Sequence, residues 1–219
     1  MGSVNKSERG FDRLAKVYDL LVSLVYGRSL KNAQTHFLPQ ATKGAEVLVV
    51  GGGTGWFLEA LLRETNNTSV TYVELSGEML RKSQQRIQAR YPEGWERVTW
   101  IKGTTSDLDS ELRYDLVCTH CFLDLFEGNR LQLEVARLRD HLKDGGAWYF
   151  SDFCYAGRWP MSWISRGLIW VMYRFFRWLC AIPAGRLGDF QSVLAAQGLT
   201  KRKRKTWFGG MVEAVWYQL

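Results

Sequence analysis

The sequence is sparing with three residue types: it has four prolines, four cysteines and three histidines in 219 residues. Prolines occur only at positions 39, 92, 160 and 183, and no internal repeat or low-complexity stretch divides the chain. One globular domain over 1–219 is therefore expected, a length common for a single core. The cysteines at 118, 121, 154 and 180 lack paired-ligand spacing and no signal peptide precedes them, which excludes a disulfide framework and makes the cytoplasm the expected compartment. Cys118-Thr119-His120-Cys121 spells C-x-x-C, but zinc would want a second pair and a redox motif would open a helix, whereas this motif ends an expected strand. No metal site is expected; buried or half-buried thiols are. Met1-Gly2 is followed by Lys6 where myristoylation requires Ser or Thr.

What is abundant is positive charge and tryptophan. The chain carries 29 basic against 22 acidic residues, a formal charge of +7, and ten tryptophans. That balance suits an anionic partner, nucleic acid or the anionic face of a membrane, without choosing between them.

Strand-like and helix-like stretches alternate from residue 46 onward. Strands are expected at 46–50, 70–74, 97–101, 114–119 and 147–152, and helices at 55–65, 77–90, 128–142 and 186–197. Such alternation argues for a parallel sheet with helices on both faces. Ser76 is the expected N-cap of the second helix, and Gly145-Gly146 the stop of the helix over 128–142. Two strand-like runs, 200–208 and 211–217, flank Gly209-Gly210 and read as a hairpin. At the other end, Phe11, Leu14, Tyr18, Leu21, Val22 and Val25 recur at helical spacing, so an N-terminal helical lid over 1–40 is expected.

The run Val47-Leu48-Val49-Val50-Gly51-Gly52-Gly53-Thr54-Gly55 reads as a strand, a tight turn and a helix start. Glycine lets backbone approach a ligand closely and tolerates positive φ. A dinucleotide site would need G-x-G-x-x-G, which puts its third glycine at position 56, and that residue is Trp56. The spacing is instead G-x-G-x-G, through Gly51, Gly53 and Gly55. Glu74 ends the next strand, 23 residues after Gly51, where a carboxylate can accept both hydroxyls of a ribose.

At these residues the chain resembles the class I S-adenosylmethionine-dependent methyltransferases. The likeness continues through Val73-Glu74-Leu75-Ser76-Gly77-Glu78-Met79-Leu80, Tyr114-Asp115-Leu116-Val117 and Leu142-Lys143-Asp144-Gly145-Gly146. Phe11-Asp12, Ala15 and Tyr18-Asp19 are similar to the N-terminal pattern of the ubiquinone and menaquinone methyltransferase branch. The resemblance covers about residues 10–155. It implies an α/β, Rossmann-like, seven-stranded mixed sheet, six strands parallel and one antiparallel in the C-terminal hairpin. It also implies S-adenosylmethionine as cofactor, held by Tyr18, Gly51, Gly53, Gly55, Glu74, Leu75, Met79, Thr104, Thr105 and Thr119. Two positions depart from the family pattern: Val49 stands where an acidic residue is common, and Thr104 where an aspartate would lie near the adenine.

Ligands of open α/β sheets bind beyond the carboxyl ends of the strands, which makes His120 and Asp124 the candidate general bases. The competing readings are that His120 lines the pocket and that Asp124 hydrogen-bonds backbone. Residues 156–185 form an insert after the fifth strand. Wound as a helix, it gathers Arg166, Arg174 and Arg177 with Trp159, Trp163 and Trp170 on one side, and Ile164, Leu168, Met172, Phe175 and Leu179 on the other. Three arginines argue against a membrane span. A helix in a membrane surface or a cap on a greasy pocket fits, as does a plain packing or dimer helix. The run Lys201-Arg202-Lys203-Arg204-Lys205 either guards an edge strand or holds phosphates. The expected function is methyl transfer to a small or lipophilic, aromatic or isoprenoid-like acceptor. Two alternatives stand: a phospholipid amine N-methyltransferase in peripheral contact with a membrane, and a non-catalytic cofactor-binding module with an RNA or protein partner. Nucleic acid is the less favoured partner, because no recognised RNA-binding signature accompanies the basic run.

Overall fold

A computed structural model describes residues 28–41, 44–157, 161–180 and 187–219. Most of the expected N-terminal lid, Tyr18 included, lies outside the described residues.

Seven strands form one sheet in the order β3-β2-β1-β4-β5-β7-β6. They are β1 (Glu46–Val50), β2 (Ser69–Glu74), β3 (Val98–Lys102), β4 (Tyr114–His120), β5 (Leu142–Phe153), β6 (Thr200–Trp207) and β7 (Val212–Gln218). Strands β1 to β5 run parallel, and β7 is antiparallel to both β5 and β6, the mixed arrangement expected. The central strands are apolar without interruption because helices cover both faces: Val47, Leu48, Val49 and Val50 of β1 are all buried.

One face packs against α1 (Ser29–Thr35), α2 (Trp56–Glu64) and α3 (Gly77–Arg90), through Leu30, Ala33, Leu58, Leu61, Leu80 and Ile87. The other packs against α4 (Asn129–Asp140) and α6 (Phe190–Ala196), through Leu131, Val135, Leu138, Phe190 and Leu194. Between β5 and α6 lies α5 (Met161–Cys180), tied to the carboxyl end of β5 where Ser165 Oγ accepts from Ala156 N at 3.2 Å. Much of the aromatic excess is core: Trp148, Tyr149 and Phe150 on β5 meet Trp216 and Tyr217 on β7.

Three expectations need correction. The helix over 128–142 stops at Asp140, and Gly145-Gly146 is no stop for it, because β5 has already begun at Leu142. Tyr114 pairs with Leu142 and Leu116 with Ala147, so the glycines lie in an irregularity of β5 where Gly145 adopts φ +71°. Second, α6 starts only at Phe190, after Asp189 caps it by accepting from Ser192 N. Third, the described part of the N-terminal helix ends at Thr35, before a 3-10 turn over Leu38–Gln40 that carries Pro39. The basic run is the outer edge strand β6, exposed along its whole length from Thr200 to Thr206, and Arg204 reaches across to Glu213.

Candidate active site

The turn after β1 is built by positive φ at alternate glycines, +65° at Gly51, +62° at Gly53 and +77° at Gly55. Each glycine answers a different demand. A Cβ on Gly51 would stand 2.6 Å from the Phe122 ring, one on Gly52 2.1 Å from Tyr72, and one on Gly55 2.5 Å from Ser83 on α3. Gly53 alone of the four faces open space, with nothing within 4 Å of where a Cβ would be. Its carbonyl accepts from Tyr72 Oη at 3.0 Å, and its amide donates to Glu74 Oε2 at 2.9 Å.

Glu74 is buried at the carboxyl end of β2. Its other oxygen, Oε1, accepts from Ser76 N at 2.8 Å, so the carboxylate spans the glycine turn and the start of α3. A carboxylate carries about four acceptor sites over its two oxygens. Ser76 caps α3 as expected, its Oγ accepting from Met79 N at 3.1 Å. Leu75 is half-buried and Met79 buried beside this cap.

In the turn after β3, Asp107 is the acidic residue that follows Thr104. Thr104 begins a capping box over Thr105–Asp107: its Oγ1 accepts from Ser106 N, and Asp107 Oδ2 accepts from Thr104 N at 2.7 Å. The Thr104 amide and hydroxyl hold the Asp107 carboxyl below its ordinary range. The spacing T-x-x-D was there to be read as this motif. Thr105 turns the other way: its hydroxyl donates to Glu134 on α4 and accepts from Arg137 at 3.2 Å. Val49 is packed in the core with Tyr72 and Cys118 as strand neighbours.

Beyond β4 the site changes character. Thr119 is buried and its Oγ1 accepts from Trp148 Nε1 at 2.8 Å. His120 is buried between Phe57 and Tyr149, ring centroids 4.1 and 4.8 Å away, and its Nδ1 lies 2.7 Å from Ser151 Oγ. Nε2 has no hydrogen-bond partner among the described residues. Burial pushes the imidazole pKa down to about 3, so the ring is neutral at physiological pH. Cys121 turns the chain with φ +51°, and Phe122 then covers Gly51. Asp124 follows in a short 3-10 turn, buried, with its carboxyl pushed up to about 7 by loss of water.

Two acids that sequence reasoning missed join this region. Asp152 is fully buried near the end of β5 and Glu213 stands opposite it on β7. Burial first, then Asp124, raise the Asp152 carboxyl well above its ordinary value. Glu213 is balanced by Arg204 at 2.7 Å. The available signal was acidic residues inside otherwise apolar strands. Burial raises the thiols of Cys118, Cys121 and Cys154, and no group of metal-holding side chains occurs among the described residues.

A cavity of about 730 Å³ lies on the same side of the molecule. Glu127 and Gly128 line it after β4, Tyr155 after β5, Arg166, Ile169 and Trp170 on α5, and Leu187 and Asp189 ahead of α6. Pockets of roughly 300–1,000 Å³ with mostly apolar walls hold small ligands.

Fold and site together define an α/β protein with a glycine turn after β1 and a buried carboxylate, Glu74, at the carboxyl end of the neighbouring strand. Residues 48–148 match the family model described as a methyltransferase domain. The chain is similar to S-adenosylmethionine-dependent methyltransferases. Over 155 residues it is 26% identical to the malonyl-[acyl-carrier protein] O-methyltransferase of Priestia megaterium, covering 68% of this chain and 53% of that protein. A second such enzyme, from Ilyobacter polytropus, is 23% identical over 148 residues, 68% of this chain and 54% of that one. The chain thus spans about half the length of these curated relatives. Among solved structures, it is similar to an O-methyltransferase family 2 protein from Planctomyces limnophilus in complex with apigenin. There the TM-score is 0.70 at 15% identity, over 94% of this chain and 61% of the other. The N-methyltransferase NodS of Bradyrhizobium japonicum, in complex with S-adenosyl-L-homocysteine, shares the fold at TM-score 0.60 and 15% identity, over 89% of this chain and 87% of NodS.

The residues present fit that cofactor. Open space at Gly53 admits a ligand against the backbone, and Glu74 offers acceptors to a ribose beside it.

Proposed function

We propose that the chain transfers a methyl group from S-adenosylmethionine to an oxygen of a small or lipophilic acceptor. The observation that carries this reading is the open face of Gly53 beside the buried Glu74 carboxylate. When bound, the cofactor supplies an electrophilic methyl on a sulfonium. The protein's share is alignment and proton handling, since in-line displacement depends on how nucleophile and methyl are oriented. Of the two candidate bases, Asp124 is the better matched to neutral pH, because a general base works best with a pKa near the operating pH. His120, at about 3, serves as a wall of the site, held by Ser151 and by edge contacts with Phe57 and Tyr149. The cavity lined by Leu131, Ile169, Trp170 and Leu187 would take the acceptor body. An oxygen acceptor is in keeping with the O-methyltransferase names of the curated relatives.

A second reading, methylation of a phospholipid amine, draws support from Glu127 and Asp189 on the same cavity wall, where carboxylates would favour an ammonium group. No described helix is long and apolar enough to cross a membrane.

The test is calorimetric titration with S-adenosyl-L-homocysteine, followed by transfer of labelled methyl to hydroxylated, carboxylated and amine-bearing lipophiles. Glu74→Ala should weaken cofactor binding by about 100-fold, the loss of charge-assisted hydrogen bonds worth about 1.5–3 kcal/mol each. Unchanged affinity in that variant would refute the site. Label found only on amines would select the second reading.

A further inference from the structure

Helix α5 presents one unusual face. Trp163, Trp170 and Val171 are 75%, 63% and 56% exposed, although other tryptophans, Trp148 and Trp216, are buried. Arg166, Gly167 and Arg174 are exposed with them. The positions 163, 166, 167, 170, 171 and 174 fall at successive three- and four-residue steps, which is one stripe of an α-helix. Its inner side is Ser165 and Ile169, both buried. The stripe mixes large apolar surface with cations only, for the stretch 161–180 contains no Asp or Glu. The guanidinium of Arg174 lies 5.8 Å from the Trp170 ring, and that of Arg166 lies 5.9 Å from the ring of Tyr155, itself 45% exposed.

We propose that the outer face of α5 docks on the surface of an anionic phospholipid bilayer. Trp163, Trp170 and Val171 would enter the headgroup boundary, and Arg166 and Arg174 would meet lipid phosphates. Tryptophan settles at that depth because its ring is apolar while its N–H stays wet. Long arginine stems follow the apolar surface and leave their charge at the headgroups. The chain's charge of +7 adds a long-range attraction of the same sign. Arg166, Ile169 and Trp170 also line the 730 Å³ cavity, so docking would turn one wall of it toward lipid. That the cavity then receives a lipophilic acceptor from the bilayer rests on the function proposed above; the docking itself does not.

The experiment is flotation of the full chain with vesicles of equimolar phosphatidylglycerol and phosphatidylcholine, and of phosphatidylcholine alone, at low and at high salt. Wild type should float with the anionic vesicles and lose most of that association in high salt, since surface charge attraction is screened. Trp163→Ala combined with Val171→Asp, two exposed positions off the cavity wall, should reduce the bound fraction constant at least about tenfold. Arg174→Gln should reduce it less and flatten the salt dependence. Calorimetry with S-adenosyl-L-homocysteine should read the same affinity in every variant, which also certifies folding. Wild type that stays unbound at low salt, or binding undiminished in the Trp163/Val171 variant, would overturn the proposal. So would light scattering that shows a dimer dissolved by the same variant, because the occupant of the face would then be a second copy. Flotation as expected in a protein that binds no cofactor would leave the docking standing and remove the methyl-transfer reading.

Discussion

Around β1 and β2 the buried polar groups are tied to backbone: Glu74 receives the amides of Gly53 and Ser76, Ser76 that of Met79, and Tyr72 donates to the Gly53 carbonyl. At the ends of β4, β5 and β7 the buried polar groups face one another instead. Asp124 helps burial to raise the Asp152 carboxyl, Glu213 pairs with Arg204, and His120 has one nitrogen beside Ser151. In the first region the polar side chains are held in place by backbone groups. The second is a set of groups whose protonation is shifted chiefly by how little water reaches them.

The comparison breaks first at Gly55. Valine there would place a Cβ 2.5 Å from Ser83 Cβ and 2.8 Å from its Cα, at φ +77°. Overpacking and a left-handed backbone together should destabilise the fold by about 2–5 kcal/mol, measurable by urea denaturation. A Gly55→Val protein of unaltered stability would mean that the turn is not rigid.

A smaller effect separates the second region by pH. Asp124 titrates near 7 in the folded protein and near an ordinary carboxylate value in the unfolded chain, so the folded state holds the proton more tightly between the two. Its contribution to stability is full below the unfolded value and is lost as pH rises through about 7. Asp124→Asn removes that loss. The variant should exceed wild type in stability at alkaline pH by up to about 4 kcal/mol and come close to it in mild acid. His120 carries the opposite sign, its stabilisation being lost as pH falls from its unfolded value toward about 3, so the Asn variant should also show a plainer rise in stability with pH. Denaturation curves across that range decide it; a variant that tracks wild type at every pH would show Asp124 to be hydrated.

The smallest expected effect is Ser151→Ala. Removing the group 2.7 Å from His120 Nδ1 should cost about 1 kcal/mol in denaturation and leave cofactor affinity as it was. A fall in that affinity would show that the two regions are coupled.

The first region was readable in the chain because its logic is local. A strand that ends in alternating glycines, an acid 23 residues on and Ser76 ahead of a helix each declare their geometry within one βαβ unit. The capping box at Thr104 was open to reading too, through Asp107 three residues later. The periodicity of α5 foretold that Trp163, Trp170, Arg166 and Arg174 share a side. Which side met solvent was settled only by the burial of Ser165 and Ile169. Gly145-Gly146 misled because a glycine pair after a helix looks the same whether it ends that helix or bends the strand that follows.

The sequence by itself determined the alternation of elements, the glycine turn and its acidic partner, since backbone preference and periodicity act over short stretches. Tertiary structure alone decided that Asp152 and Glu213 would face each other in antiparallel register, that Asp124 would be buried beside them, and that His120 would be enclosed between Phe57 and Tyr149. The physical reason is that desolvation is a property of the surroundings of a group. Those surroundings are assembled from strands and helices far apart in the chain.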